Sequence, residues 1–464
     1  MVDQFSDPTT TKLLDYGQSM RPEVIPQAVD TRARELLLDS LGNAAAGSRT
    51  GALRIFRSYA RPTLDLGVSL IGATEVTRLE DAVLLNGTAM RVQDFNDAYL
   101  AEDSAGDACH LQDVHSATLA VSAIEKLSVA DVVFANVLAY EVMAAACEAY
   151  AVHARTLFDQ SIYTAIAATM AVANLIDLDR RQTSSALGIA VASNLGLGQT
   201  RRGSLSMWKS AQVPYAAKAA VEACFFARAG VTGPNEIFAG THGLLAALGC
   251  SDNCELELDS TEGNFRMLRG AIKKFPANYL SQGAIEAAIT CHHDLDLTQT
   301  SSIRSVRVRT FEFALSQLDA EKFAPTTRET ADHSSPYLIA VALRFGSVRE
   351  EHYGREFLCD SELRELMQKI CFEVKRTNPD RRYPESLSTS VEVLLDDGRR
   401  AIAEVDIPAG HSRRPFSYAE LLGKFHAQSE SVWSPQRQQQ IEQFVLKGDA
   451  QSPVSELDEL LRAM

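Results

Sequence analysis

The stretch VADVVFANVLAYEVMAAACEAY, residues 129–150, decides what kind of fold this chain of 464 residues adopts. It is the longest apolar-rich run in the chain, and its apolar residues recur with the spacing of a helix. Asp131, Glu141 and Glu148 interrupt the run, so no stretch of about 18 apolar residues remains to span a bilayer. We therefore predict a helix buried in a protein core, and no membrane partner.

Similar segments rich in Ala, Leu and Val dominate about the first 265 residues. They cover residues 32–46, 82–90, 118–127, 164–176, 184–194 and 211–229. Turn residues separate them: Asp177-Leu178-Asp179 precedes one helix, and Gly230 follows another. So many alanine-rich helices predict close helix–helix packing with little sheet.

The pattern changes near Met267. Residues 302–310 alternate polar and apolar side chains, as in a strand with one face in water. Residues 389–395 alternate as well, and Asp397-Gly398 is the turn signal of a hairpin that continues through residues 401–405. Helical spacing lies between these strands at residues 337–345 and 360–370, and it returns at 418–426 and 435–446.

These patterns predict a mainly α fold, with a large all-helical domain and a smaller α+β lid domain inserted before the C-terminal helices. We place the first part of the helical domain at residues 1–267 and the lid at 268–405. Residues 406–464 form a C-terminal segment that returns to the helical domain.

The composition excludes several classes of protein. Apolar residues make up 46% of the chain and charged residues 23%, which indicates a globular protein rather than a disordered or fibrous one. The 60 acids outnumber the 45 Lys and Arg residues, for a formal net charge of −15, so we expect no nucleic-acid partner. A few local cations can still hold an anionic small molecule in a cleft.

The first residues and the cysteines predict a cytoplasmic protein. The first seven residues contain two acids and no apolar segment, so we expect neither a secretory signal nor a transit peptide. Eight cysteines are too few for a disulfide scaffold. Cys250 and Cys254 are near each other, but no second pair follows and no Cys-x-x-Cys motif occurs, so we expect no metal site.

The first candidate site is Asp94-Phe95-Asn96-Asp97. Asp94 and Asp97 are three residues apart, so on a helix both would face one side, where paired carboxylates raise one pKa toward neutrality. Arg91 is spaced to pair with Asp94 and would pull that pKa down again. The alternative is a solvated helix end with Asp97 as its N-cap.

Three further segments bring cations to candidate sites. Lys209 precedes a long alanine-rich helix, where an ammonium near the positive helix terminus is suited to anion binding or proton transfer. Lys273 and Lys274 lie where the helical sequence pattern changes to the mixed pattern of helices and strands. Together they would suit a polycarboxylate in a cleft between the two domains. Arg413 and Arg414 lie where the chain returns from the lid to the helical domain, and arginines bind carboxylates through two hydrogen bonds. The alternatives are a surface lysine, a basic linker and solvated rim charges.

Taken in order, these segments resemble the MmgE/PrpD family. The resemblance rests on DFNDAYL (94–100), MWKS (207–210), KFPANY (274–279), ADH (331–333) and GHSRR (410–414), and it covers nearly the whole chain. The family includes 2-methylcitrate dehydratase, which this chain resembles most, together with cis-aconitate decarboxylase and iminodisuccinate epimerase. The resemblance implies a helical domain with an α+β lid, a homodimer, no metal or organic cofactor, and a small di- or tricarboxylate between the domains.

Residue by residue, the resemblance implies catalytic roles for Asp94, His115 and Lys209. It implies that Lys273 contacts the substrate, and we add Asp97 beside Asp94 as a further substrate contact. The loop over residues 102–114 is longer than the family pattern, so His110 is the alternative to His115.

Two positions depart from the family pattern. Gln160 stands where some members carry a histidine, and Asn278 or Leu280 stands where others do. Glutamine and asparagine can hydrogen-bond a carboxylate but cannot take up a proton at neutral pH. We therefore assign Gln160 and Asn278 to substrate binding rather than to proton transfer.

The sequence thus predicts a cofactor-independent lyase that dehydrates a citrate-like substrate, 2-methylcitrate or an alkyl-substituted citrate. In this hypothesis His115 or Asp94 moves the proton, and Lys209 neutralises the developing charge while Lys273 holds a remote carboxylate. The departures leave decarboxylation of a cis-aconitate and epimerisation of a dicarboxylate open. A catalytically silent paralogue acting as a binding or partner subunit is the remaining alternative.

Overall fold

The computed structural model describes residues 7–61, 63, 67–101, 107–250, 254–259, 264–375 and 383–463. The amino-terminal part consists of helices α1 (Pro8–Ser19), α2 (Gln27–Gly47), α3 (Gly51–Arg57), α4 (Leu79–Arg91), α5 (His115–Glu125), α6 (Val129–Tyr150), α7 (Val152–Arg155), α8 (Ser161–Leu175), α9 (Arg180–Ser193), α10 (Trp208–Arg228) and α11 (Leu244–Ala247). Two short hairpins join them, β1 (Val68–Ser69) with β2 (Val76–Thr77), and β3 (Tyr99–Leu100) with β4 (Ala108–Cys109).

The following part combines helices with one sheet. Its helices are α12 (Gln282–Asp294), α13 (Glu312–Ser316), α14 (Arg328–Ala331), α15 (Ser335–Phe345), α16 (Arg355–Leu358) and α17 (Ser361–Gln368). Its strands are β5 (Ile303–Thr310), β6 (Ile370–Val374), β7 (Thr389–Leu395) and β8 (Arg400–Val405). The chain ends in α18 (Tyr418–Ser429), α19 (Pro435–Lys447) and α20 (Val454–Leu460). The fold is therefore mainly α with a small α+β part, as predicted.

Helix α6 lies at the centre of the larger hydrophobic core. Ser128 and Asp131 form a capping box at its start, and Ala151 ends it in the left-handed conformation. Its length and apolar composition alone would let it cross a membrane, but 89% of its most apolar stretch is buried inside the protein, where it packs against α2, α5 and α8. The prediction of a core helix at residues 129–150 is confirmed.

The sheet has the strand order β6-β5-β7-β8. Strand β5 runs parallel to β6 and antiparallel to β7, and β7 and β8 form the predicted hairpin. Helix α12 packs against β7 and β8, and α15 packs on α12 to close a second, separate core. Strand β6 was not predicted, because it is an edge strand that pairs with β5 alone among the described strands, and its outer side chains are exposed.

The C-terminal helices pack against the amino-terminal part. Helices α18 and α19 contact α2, and Lys424 on α18 forms a buried ion pair of 2.7 Å with Asp39 on α2. The exact domain boundaries stay a prediction. A disulfide joins Cys250 to Cys254, whose Cα atoms are 6.0 Å apart; the sequence analysis did not predict this local bridge.

Gly410 lies where the chain returns from the α+β part to the helical part, and it packs against the segment that carries Lys273. Its φ is +85°, and a Cβ at this position would lie 1.8 Å from the carbonyl oxygen of Ile272. We expect Gly410→Ala to lower the free energy of unfolding by about 1–3 kcal/mol, measured by urea denaturation. Gly398→Ala is the matched control, since its φ is +88° but no atom of the described residues lies within 4 Å of its Cβ position. Equal losses in the two variants would contradict the clash.

Candidate active site

A cavity of about 510 Å³ is lined by residues of both the helical part and the α+β part. This volume lies in the range of small-molecule sites. Its ionisable and amide-bearing lining residues are Arg91, Asp94, Asp107, His110, His153, Gln160, Gln199, Arg201, Arg202, Lys273, Asn278, Gln317, Lys322 and His333. Cations outnumber carboxylates in this set, so the cavity favours an anion although the chain as a whole is acidic.

Asp94 follows the end of α4 in a strained backbone conformation. The helix stops at Arg91, and Asp94 has a φ of +52°, a left-handed region that non-glycine residues rarely adopt. Asp94 and Asp97 therefore do not share a helical face, and the expectation of a carboxylate pair on one helix is wrong. Arg91 pairs with Asp113 instead of Asp94.

Two ammonium groups hold the Asp94 carboxylate. Lys209 Nζ lies 3.2 Å from Asp94 Oδ2, and Lys273 Nζ donates to the Asp94 carbonyl at 2.9 Å and also to Oδ1. Burial raises the pKa of Asp94, but Lys273 and Lys209 outweigh it and hold this pKa well below its usual value. Asp94 is therefore an ionised group that orients the two lysines.

Lys209 joins the helical part to the α+β part. Besides Asp94 it donates to both carboxylate oxygens of Asp332, at 2.8 and 2.9 Å. Asp332 also accepts from Arg328 at 2.7 Å and from His333 Nδ1 at 2.5 Å. Potential metal-ligand atoms of Asp94, Asp332 and His333 lie within 4.8 Å of one another, and the Lys209 ammonium contacts all three side chains. The Lys209 ammonium thus lies among the groups that could otherwise hold a metal ion.

Lys209 contacts Asp94 from behind the cavity. Lys209 is 2% exposed and is absent from the cavity lining among the residues that the structure describes, whereas Lys273 belongs to that lining. In the sequence, Ala331-Asp332-His333 contributes to the family resemblance but gives no role for Asp332. A carboxylate far along the chain from its lysine leaves no local pattern by which to find it.

His110 is brought to the cavity by Asp97. The buried Asp97 carboxylate accepts from the backbone N–H groups of Leu111 and Gln112 at 3.0 and 3.2 Å, and its carbonyl lies 2.5 Å from His110 Nδ1. Nδ1 therefore carries a proton, which leaves Nε2 with a free lone pair. Burial and the nearby Arg91 hold the pKa of His110 well below its usual value, so the ring is neutral.

Asp97 itself is fully buried and is not among the described cavity-lining residues. Burial and the neighbouring Asp113 raise its pKa to about 7. Its contacts are with the segment that carries His110, so the structure places it as a group that orients His110 rather than as a substrate contact.

His115 lies away from the cavity. It is fully buried at the start of α5, and its two ring nitrogens contact Ser40 Oγ at 2.8 Å and the Tyr140 hydroxyl at 2.6 Å. Burial lowers its pKa to about 3. Of the two alternatives left open by the sequence, the structure therefore brings His110 to the cavity. Residues 102–106 of the preceding loop lie outside the described residues.

His153 is a cavity residue that the sequence analysis missed. Its Nδ1 lies 2.8 Å from Asp107 Oδ1, and its Nε2 lies 3.9 Å from Asp159 Oδ2 with no hydrogen-bond partner in the described part of the chain. Burial lowers the pKa of His153, but Asp107 and Asp159 outweigh it and raise the pKa to about 9. A lone histidine gives no sequence signal, because its acidic neighbours come from other segments.

Gln160 and Asn278 both line the cavity, as does Lys273. In the amide orientation that suits its neighbours, Gln160 donates to the Ala108 carbonyl and accepts from Arg91, each at 3.2 Å. Asn278 donates its backbone N–H to the Asp332 carbonyl at 2.8 Å. Three of the four predicted substrate-binding residues thus meet at the cavity, and Asp97 is the exception.

Comparison with known proteins matches both parts of the chain. A family model described as the MmgE/PrpD N-terminal domain matches residues 11–257, and one for the MmgE/PrpD C-terminal domain matches residues 275–449. A mitochondrial 2-methylcitrate dehydratase of Yarrowia lipolytica is 29% identical over 73% of this chain and 68% of its own length. A 2-methylcitrate dehydratase of Escherichia coli is 24% identical over 92% and 91%. A cis-aconitate decarboxylase of Mus musculus is 23% identical over 86% and 82%.

Proposed function

We propose that this chain, which belongs to the MmgE/PrpD family and is a lyase of that type, dehydrates a citrate-like tricarboxylate by acid–base catalysis with its own side chains. The substrate is 2-methylcitrate or a citrate with another alkyl substituent. One observation carries the proposal: two histidines line the same cavity in opposite surroundings. His110 lies against the Asp97 carbonyl, where burial lowers its pKa, and His153 lies between the carboxylates of Asp107 and Asp159, which raise its pKa. Environments that push two pKa values apart are the mark of an acid–base pair.

His110 is the base of this pair. Dehydration begins with removal of a proton from the carbon next to a carboxylate, which requires an unprotonated base with a free lone pair, and a neutral imidazole is one. His110 donates Nδ1–H to the Asp97 carbonyl and remains neutral, so its Nε2 is available for that proton. Asp97 keeps this tautomer in place.

His153 is the acid. Expelling hydroxide from a tertiary carbon requires a proton on the leaving oxygen, and a charged imidazole can supply it. Asp107 and Asp159 keep His153 protonated at neutral pH, and its Nε2 lies 3.9 Å from Asp159 Oδ2 but forms no hydrogen bond with the described groups. The departing oxygen takes this proton and leaves as water.

The lysines and arginines hold the substrate carboxylates. An ammonium has three N–H donors, and Lys273 gives two of them to Asp94, which leaves one for a substrate carboxylate beside the reacting carbon. That contact stabilises the negative charge that builds up when the proton leaves. Arg91 and Arg201 line the same cavity and bind the remaining carboxylates.

The test is the pH dependence of 2-methylcitrate dehydration, followed by the absorbance of the alkene product in the presence of a chelator. Because His153 must be protonated and its pKa is about 9, kcat should decline about tenfold per pH unit above that value. His153→Gln should lower kcat by about 10²–10⁴-fold and abolish this alkaline limb. Absence of dehydration with every citrate tested, or carbon dioxide release from cis-aconitate instead, would overturn the proposal.

The homodimer and the cytoplasmic location that the sequence analysis expects stay predictions.

A further inference from the structure

One wall of the cavity is mainly apolar, although it includes two tyrosines whose buried hydroxyls have no hydrogen-bond partner in the described structure, and the mechanism proposed above makes no use of it. It consists of Ala98, Leu100, Tyr279, Leu280, Phe313 and Tyr383, which we call the apolar wall. These side chains belong to one hydrophobic cluster that is separate from the two main cores. The wall is thus a surface of its own and not the exposed edge of a core.

Aromatic rings stack against one another in this wall. The ring of Tyr383 lies between Phe311, at a centroid distance of 5.3 Å and an angle of 9°, and Phe313, at 4.6 Å and 22°. Leu280, Phe313 and Tyr383 are only half-buried, so each keeps apolar surface that the protein itself does not cover. An apolar ligand that covers this surface removes it from water, which favours binding.

The apolar wall adjoins the charged groups of the site. Leu280 comes two residues after Asn278, whose backbone N–H binds the Asp332 carbonyl. Ala98 pairs with Ala271 through two backbone hydrogen bonds of 2.9 and 2.7 Å, and Ala271 precedes Lys273 by two residues. Lys273 and the apolar wall line the same cavity, so a molecule whose carboxylate contacts Lys273 shares that cavity with the wall.

We propose that the apolar wall binds the alkyl arm of the substrate, and that this arm is longer than a methyl group. The inference rests on the proposed function, since it names the substrate class of the same cavity. A methyl group would cover a small part of a surface that Leu280, Phe313 and Tyr383 share. The cavity volume of about 510 Å³ matches drug-sized ligands, which are larger than citrate. The favoured substrates are therefore citrates that carry an extended alkyl chain.

The experiment compares 2-methyl-, 2-butyl- and 2-hexylcitrate, with KM and kcat measured for each and the dissociation constant measured by calorimetry. Each methylene that moves from water onto the wall should lower KM by about fourfold until the wall is filled. Phe313→Ser should raise KM for 2-hexylcitrate by about tenfold or more and raise KM for 2-methylcitrate much less. Leu280→Ser is a second variant, in case Phe313→Ser does not fold.

Phe226→Ser is the matched control, because Phe226 is 52% exposed on α10 and lies outside the cavity. Its KM values should stay those of the unmodified chain. If the enzyme turns over the citrates and 2-methylcitrate has the lowest KM of the three, the proposal that the wall binds a long alkyl arm is wrong. The dehydratase proposal would then still stand. Tighter calorimetric binding of longer arms without turnover of any citrate would overturn the dehydratase proposal and support the wall.

Discussion

His110→Gln is expected to lower kcat for dehydration by about 10²–10⁴-fold while KM and the melting temperature change little. Glutamine can still donate to the Asp97 carbonyl that now accepts from His110 Nδ1, so the loop should keep its conformation. Its amide cannot take up a proton at neutral pH, so the base is lost. Steady-state kinetics at about pH 7.5 together with thermal denaturation measure the two effects separately.

His115→Gln is the control for this prediction, because His115 is the other histidine that the sequence offers. It is fully buried between Ser40 and Tyr140 and lies away from the cavity. We expect His115→Gln to lower the melting temperature and to leave kcat of the folded enzyme within about threefold of normal. The opposite pattern, with His110→Gln active and His115→Gln folded but inactive, would return the catalytic role to His115.

Lys209→Met is expected to lower kcat by about 10³-fold and to lower the free energy of unfolding by about 3–5 kcal/mol. The variant leaves the buried carboxylates of Asp94 and Asp332 without their shared ammonium. The pKa of Asp94 should then rise, since Lys209 is one of the two ammonium groups that keep it low. Lys273, which is bound to the same carboxylate, would lose the position that the proposed mechanism requires.

Lys218→Met is the matched control on the same helix. Lys218 forms a partly exposed ion pair with Glu222 at 3.4 Å, four residues along α10. Loss of such a pair costs about 0.5 kcal/mol or less, and activity should not change. Kinetics and urea denaturation of both variants provide the comparison. A Lys209→Met enzyme with near-normal kcat would show that the lysine does not support the reaction.

Much of the fold could be predicted because the periodicity of side chains records which face is buried. Helix α6 and strands β5, β7 and β8 agree with the patterns in their own segments, whereas α10 begins at Trp208, three residues before the predicted start at residue 211, so Lys209 lies in its first turn. Strand β6 could not be found this way, since it is short and lies at the edge of the sheet with exposed outer residues. The disulfide between Cys250 and Cys254 was missed because two sparse cysteines do not indicate whether their sulfurs meet.

The candidate site was predicted less completely than the fold. Asp94, Lys209 and Lys273 were found through motifs in separate segments, and the structure brings their charged groups together. The choice between His110 and His115 remained open, because both lie in one short segment of uncertain register. His153 was missed altogether, since its charge depends on Asp107 and Asp159 rather than on its sequence neighbours.

The amino-acid sequence by itself determined most helical and strand segments, the change from an all-helical to a mixed pattern along the chain, and the resemblance to one family. These properties depend on the order of apolar and polar side chains over short distances, because a helix or a strand buries side chains at fixed intervals along the sequence. Only the tertiary structure decided which histidine reaches the cavity, which histidine is charged and which carboxylates surround Lys209. Protonation states and ion pairs depend on burial and on distances between residues far apart in the chain, and neither quantity exists until the chain is folded.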